Sequence, residues 1–405
     1  MFALLPVCFF LQALTPEVIE HAQAGAAAQK AGQFDVAIRE FSKVTDLQPN
    51  SASGHANLGD AYFQSGDYPS AIPELEKALS LNPKLMGTHQ TLGVALLVEG
   101  NAAAALSHLE LTHTPELLGL AYLETGRLGS AIMALQAALG RQPDDADLLY
   151  YYGQATALAA QKTSRQLARI DAGHAPEAQR QQRPIRDVAV LQTELAKSPN
   201  DPDLLYDFQR AAKLASSQAF DKILHNDQAS ARAHQILAER AAASGRLPEA
   251  EKEYAESLKL KPFTAGVHLA LGNVLAEEGK YAAALTEFRT EVQLRPADVA
   301  ALYRLGSALL QQGQANQALV TFQYANQVRP DTPEILLALG NAASANKDDA
   351  SAQKYWLKLL TIDQTSTAAA QAHLGLANLY RSAGKKLDAD NELAAYQKLT
   401  TKRIN

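Results

Sequence analysis

Residues 54–83 read GHANLGDAYFQSGDYPSAIPELEKALSLNP and hold His55, Asp60, Asp67, Glu74 and Glu76. A histidine among four carboxylates could make a metal site or a general acid–base pair. Either chemistry requires convergence. Zinc holds each of its ligands at about 2 Å, and a proton moves only between groups within hydrogen-bond reach. The question is whether the elements carrying these residues bring them to one point.

The surrounding pattern answers it. His55 has counterparts at His21 and His89, each 34 residues away. Gly25, Gly59 and Gly93 keep the same step, as do Gly32, Gly66 and Gly100, and Ala37, Ala71 and Ala105. The register returns at Gly272, Gly306 and Gly340, at Gly245, Gly279 and Gly313, and at Pro262, Pro296 and Pro330. Leu58 and Tyr62 are spaced for one face of a first helix, and Ala71, Leu75 and Ala78 for one face of a second. Gly59 and Ala71 have no bulk and let the two helices cross closely. Gly66 sits in the turn, and Pro83 stops the second helix. One such pair cannot bury its apolar face alone, so the pairs must stack.

A 34-residue period with Leu58, Gly59, Tyr62, Ala71, Leu75, Ala78 and Pro83 in these slots resembles the tetratricopeptide repeat family. The resemblance implies an all-α, right-handed superhelical solenoid of antiparallel helix pairs, with about nine to ten repeats, some degenerate. Full repeats read at 18–51, 52–85, 112–145, 231–264, 265–298 and 299–332. Residues 86–111 form a shortened copy, 333–369 a lengthened one with Trp356 at the aromatic position, and 370–403 end the array. The expected organisation is an apolar segment at 1–14, an N-terminal array at 15–160, irregular helical repeats at 161–230 that make a hinge or a kink, and a C-terminal array at 231–405.

Within this frame the histidines lose their promise as ligands. His21, His55, His89, His234, His268 and His373 all occupy position 4 of a repeat, facing the paired second helix. Neighbouring copies stand roughly 8–10 Å apart, too far to share an ion. Asp67 starts a second helix and favours its dipole. Asp60 is expected on the inner face, and Glu74 and Glu76 in solvent. No Ser-centred nucleophile elbow occurs. Gly272 and Gly279-Lys280 are spaced wrongly for a phosphate loop, and Tyr281 stands where Ser or Thr is needed. The expectation is therefore no enzyme, no cofactor and no metal.

Composition points the same way. Net charge is −6 over 405 residues, which leaves no electrostatic footprint for nucleic acid. Cys8 is the only cysteine, so there is neither a disulfide framework nor a cysteine zinc site. The opening MFALLPVCFFLQAL is too short to span a bilayer and has the length of the apolar core of a secretory signal, with Leu11-Gln12-Ala13 as its cleavage site. No Lys or Arg precedes Lys30 to supply a charged leader. Export to a periplasmic or envelope compartment, with no transmembrane span in the mature chain, is the expectation. The alternative is a cytoplasmic chain whose apolar start docks on the first repeat.

Function then falls to surfaces. The resemblance implies that first helices line a concave groove through positions 2, 5, 9, 12 and 13. In the C-terminal half these include Gln235, Glu239, Asn273, Tyr303, Ser307 and Asn341, with Arg304 adjacent. Asparagines can hold a peptide backbone by paired donors and acceptors, and Tyr303 offers an apolar anchor. Leu269 and Leu337 stand where carboxylate-clamp relatives carry Lys, which argues against capture of a C-terminal carboxylate. A basic cluster of Lys162, Arg165, Arg169 and Arg183 is a second docking candidate, for an acidic surface. The expected function is a scaffold that binds an extended peptide or partner protein and takes no small-molecule substrate. Rival readings are a cytoplasmic adaptor or a subunit serving an enzyme in trans, and a binder of cell-wall carbohydrate.

Overall fold

The computed structural model describes residues 15–170 and 183–401. The apolar segment 1–14 lies outside these residues. Among the described residues there are helices and no strands, and no helix is long and apolar enough to cross a membrane.

The helices pair in chain order. They are α1 (Pro16–Lys30) with α2 (Phe34–Leu47), α3 (Ala52–Ser65) with α4 (Tyr68–Leu81), and α5 (Met86–Val98) with α6 (Ala102–Thr112); α7 (Pro115–Glu124) and α8 (Leu128–Leu139) follow in the chain. Then come α9 (Ala146–Ile170), α10 (Val188–Lys197) and α11 (Pro202–Asn226). Pairing resumes with α12 (Ala231–Ala243) and α13 (Leu247–Leu260), α14 (Val267–Glu277) and α15 (Tyr281–Leu294), and α16 (Val299–Gln311) and α17 (Ala315–Val328). It ends with α18 (Pro333–Ala345) and α19 (Asp349–Ile362), and α20 (Thr367–Ser382) and α21 (Lys386–Thr401). Two compact units divide the chain: residues up to 97 with 102–121, and 98–101 with 122–405.

Within each pair the knob and the hole are the residues the period picks out. A Cβ added to Gly306 would lie 2.6 Å from a ring carbon of Phe322, one on Gly272 2.5 Å from Phe288, and one on Gly59 2.7 Å from Leu75. Glycine is thus required on the first helix because a large side chain of the second fills its place. The turn glycine serves differently: at Gly66 the backbone has φ 85°, a left-handed conformation that closes α3. In one repeat the same turn slot holds Lys347, with φ 62°. First helices start on side-chain caps, among them Ser51, Ser230, Asp298 and Ser366.

Among the described residues of 161–230 the chain stays helical with altered geometry, and these residues lie within one enlarged repeat. In ordinary pairs the first-helix glycine and its partner are 16 residues apart, as in Gly306 and Phe322; Gly153 of α9 meets Phe220 of α11, 67 residues away. A Cβ on Gly153 would fall 2.7 Å from the Phe220 ring. An insertion therefore separates the two helices of a single repeat. Both α9 and α11 are lengthened to 25 residues, against 13 and 14 in α12 and α13. The short α10 packs Val188, Leu191 and Leu195 into the core that α8, α9 and α11 share.

The larger unit also contains a contact between residues distant in sequence. Arg295, after α15, donates through Nη2 to Glu124 Oε2 at 2.7 Å, a separation of 171 residues. Its Nη1 reaches Asp298 Oδ2 at 3.2 Å. Beside it the Ala297 N–H donates to the Glu99 carbonyl at 2.7 Å.

Candidate functional site

The histidine slot comes first, since it promised chemistry. Each histidine meets the residue 19 positions later on the paired helix. His21 Nδ1 lies 2.7 Å from Glu40, His55 Nδ1 2.6 Å from Glu74, His234 Nδ1 2.7 Å from Glu253, His268 Nδ1 2.6 Å from Glu287, and His373 Nδ1 2.5 Å from Glu392. Glu74 is therefore not simply solvated, as its sequence position suggested, but latches α4 to α3. In two of these repeats the other ring nitrogen faces the preceding proline carbonyl, His55 Nε2 at 3.0 Å from Pro49 O and His268 Nε2 at 2.9 Å from Pro262 O. Burial works against charge on His268, but the Glu287 and Pro262 acceptors outweigh it and hold its pKa above the ordinary imidazole value. One repeat differs: His89 Nδ1 meets His108 Nδ1 at 2.8 Å. Burial and the neighbouring His89 push His108 down. No group of three or more potential metal ligands occurs among the described residues.

Asp67 caps α4, accepting from the Ser70 N–H at 3.2 Å, and Glu76 is exposed. Burial raises the pKa of Asp60, although a hydrogen bond from Thr91 pulls the other way.

Of the groove residues, Asn273, Arg304 and Ser307 converge. They line one cavity of about 250 Å³ between α14 and α16, together with Glu277, Gln311 and Tyr281. Neutral amides and a hydroxyl stand there beside one cation and one carboxylate, over the apolar edge of Phe288. Tyr303 is not in this wall. It is half-buried, with its ring centroid 5.9 Å from that of Phe322. The aromatic that the cavity does present is Tyr281, 50% exposed, from the first turn of α15. Asn341 opens onto a different cavity, between α18 and α20.

Gln235, buried, and Glu239, partly buried, belong to an internal network. Gln235 Nε2 donates to Tyr150 Oη at 2.5 Å and to Glu239 Oε1 at 3.1 Å. Tyr150 in turn donates to Glu239. Arg232 closes the network, with Nη1 donating to Gln235 Oε1 at 2.6 Å, Nε to Asp147 Oδ1 at 2.6 Å, and its guanidinium 4.4 Å from the Tyr150 ring centre. Burial holds the Glu239 carboxyl above the usual carboxylate range, although its hydrogen bonds from Tyr150 and Gln235 pull the other way. Tyr150 reaches these residues from α9, the first helix of the preceding repeat.

The basic cluster separates as well. Lys162, Arg165 and Arg169 are exposed on the extension of α9. Arg183 instead pairs with Asp203 at 2.9 Å and Asp207 at 3.6 Å, and Arg186 pairs with Glu194. A docking patch thus keeps three of its four cations. Arg180 lies outside the described residues.

The comparisons agree with the geometry. The tetratricopeptide repeat is matched over residues 23–85 and 117–163 and again over 300–332, and the TPR repeat over 272–313. No curated protein matches the sequence. Among solved structures, MamA of Desulfovibrio magneticus RS-1 is 20% identical, covering 43% of this chain and 97% of its own, with a TM-score of 0.41. Yeast Tom70 is 15% identical over 94% of this chain and 91% of its own, with a TM-score of 0.37. A structure of PilF from Pseudomonas aeruginosa is 20% identical over 53% of this chain and 96% of its own, with a TM-score of 0.39. With helix pairs in both halves of the described residues, knob and glycine repeating in register and the repeat matched in each half, the chain is a tetratricopeptide repeat protein.

Proposed function

We propose that this chain is a non-enzymatic scaffold of the bacterial envelope that holds an extended segment of a partner protein in the cavity between α14 and α16. The repeats support the coarser statement, a protein-interaction scaffold. The observation carrying the finer one is the convergence of Asn273, Arg304 and Ser307 in a single concavity. Asn273 can pair with a backbone amide as donor and acceptor at once, Arg304 can donate to a carbonyl or to a carboxylate side chain, and Tyr281 supplies the apolar contact. The apolar run at 1–14 supports the envelope setting.

Affinity capture from native envelope and cytoplasmic fractions, followed by mass spectrometry, tests both parts. Asn273→Ala with Arg304→Ala should weaken capture about ten-fold, or 1.4 kcal/mol, at unchanged thermal stability. Capture that survives this pair but disappears when Lys162, Arg165 and Arg169 are neutralised would place the partner on the basic patch instead. N-terminal sequencing of the mature chain checks export: an intact start in the cytoplasmic fraction refutes it.

A further inference from the structure

The enlarged repeat builds a cavity from its added parts. The extension of α9, the short α10, the first half of α11 and the start of α8 surround about 450 Å³, within the range of about 300–1,000 Å³ usual for small-molecule sites. Gln166 of α9 ties one wall together, donating through Nε2 to the Pro199 carbonyl at 2.8 Å and to Asn200 Oδ1 at 3.0 Å, in the loop before α11. Leu195, Leu205 and Phe208 make part of the lining apolar. Its charged residues are both cations, Arg127 and Lys162, and no carboxylate of the described residues lines it.

Two sets of donors meet there. The first turn of α8 lines the cavity with Leu128, Gly129 and Ser130, and no side chain caps that helix. The N–H groups of a first turn have no acceptor within their own helix. Glycine at 129 lets α10 come close, since a Cβ there would lie 2.5 Å from Gln192 Nε2. The second set comes from α9. Thr163 is only 6% exposed, and it borders this cavity. Its hydroxyl has no hydrogen-bond partner among the described residues, yet it is not fully enclosed, so it opens onto the cavity. A mid-helix hydroxyl can return to the carbonyl four residues earlier, as Thr156 does with Tyr152 at 2.8 Å. That of Thr163 is left for an occupant, and Lys162 stands beside it.

We propose that this cavity binds a small phosphate monoester with an apolar body. The amides of the α8 start, the Lys162 ammonium and the Thr163 hydroxyl donate to the phosphoryl oxygens, and Leu195, Leu205 and Phe208 cover the organic part. Donors and cations without a carboxylate select an oxyanion. A phosphoryl group presents three terminal oxygens to three kinds of donor, where a carboxylate presents two. The apolar residues have no role toward inorganic phosphate alone, nor toward a phosphorylated serine side chain. The site shares no residue with the cavity between α14 and α16 and does not depend on the groove reading.

The full chain is titrated with phenyl phosphate, inorganic phosphate, phenol and a phosphoserine hexapeptide at about 0.15 M salt, where outlying charges are screened. Binding is read by calorimetry and by the thermal midpoint. Phenyl phosphate should bind and raise the midpoint. Inorganic phosphate should bind about ten-fold more weakly for want of the ring, and phenol should not bind. Lys162→Gln should weaken phenyl phosphate about ten-fold and Thr163→Val about five-fold, with the midpoint of the free chain unchanged. Arg165→Gln with Arg169→Gln, on the same helix but outside the lining, should leave its affinity as in the wild type. Equal losses from this pair and from Lys162→Gln would reduce the effect to a basic helix face and refute the site. Inorganic phosphate binding as tightly as phenyl phosphate, or the phosphoserine peptide binding more tightly, overturns the ligand class. If neither phosphate ester binds, the proposal falls.

Discussion

Gly153→Ala places a methyl group 2.7 Å from Phe220 Cε1 and 2.9 Å from Cζ. Carbon atoms pack best at about 3.5–4.0 Å, so the overlap is close to 1 Å. Phe220 is only partly buried and can give way. The alanine variant should therefore cost about 1 kcal/mol and Gly153→Leu about 2–3 kcal/mol. Phe220→Leu alone loses ring contacts at a similar cost, about 1 kcal/mol. Combined with Gly153→Ala, Phe220→Ala rather than Phe220→Leu should relieve the overlap, because a Cβ on Gly59 or Gly93 still falls 2.7 Å from Leu75 and 2.6 Å from Leu109. The double-mutant coupling should then be about 0.5–1.5 kcal/mol in the favourable direction, read as urea midpoints followed by circular dichroism. The control is Arg169, the residue 16 positions beyond Gly153, which would be the partner if the repeat were uninterrupted. Arg169→Leu should be additive with Gly153→Ala. Additivity at Phe220, or coupling at Arg169, would show that 146–230 is not one split repeat.

Gly306→Leu should destabilise more than Gly313→Ala, by about 1–3 kcal/mol against about 1 kcal/mol, because Phe322 occupies the first site while nothing lies within 4 Å of a Cβ at the second, where only φ 74° objects; equal midpoints refute the assignment. Lys347→Gly should raise stability by up to about 1 kcal/mol by relieving a left-handed backbone, and a lower thermal midpoint would count against it. His268 takes up a proton on folding because its pKa is raised, so its contribution is complete below the ordinary imidazole value and fades as pH climbs through the higher folded one. Stability measured from pH 6 upward should fall with a slope that His268→Gln removes, and an unchanged slope would sink the idea. His108→Glu should stabilise by roughly 1 kcal/mol, giving His89 the partner found in five other repeats, most clearly below the ordinary imidazole value, where His108 resists its proton; a lower melting temperature at that pH would refute it.

How far the sequence could be read depended on the period. Glycine at 25, 59, 93, 272, 306 and 340 marked the crossing points, and the structure places the expected bulky partner against each. The same logic failed between 161 and 230 because the spacing there is neither 34 nor a multiple of it. The signal existed all the same: Ser216, Phe220 and Ile223 keep the i, i+4, i+7 spacing of Ala318, Phe322 and Ala325, without the turn glycine that announces it elsewhere. That miss propagated to the site. Gln235 and Glu239 hold groove positions by register, but register does not say which helix stands opposite, and here it is the one bearing Tyr150. Tyr281 was passed over because it begins a second helix.

The Arg295–Glu124 pair alters the mechanics of the larger unit. Repeat arrays carry load through neighbours alone, each interface in series with the next. A bond across 171 residues is a parallel path. Tension applied outside these two points is borne first by the pair and by the Ala297–Glu99 hydrogen bond, and the repeats between them feel it only after both have given way. Closing such a loop in an unfolded chain costs about 4–5 kcal/mol by the logarithmic law, so the pair cannot seed folding and must form once the intervening helices have brought its ends together. Under force-ramp extension the wild type should show an early rupture that lengthens the chain little, and Arg295→Ala, which leaves only the Ala297–Glu99 hydrogen bond, should show it at lower force; identical traces would mean that the shunt carries no load.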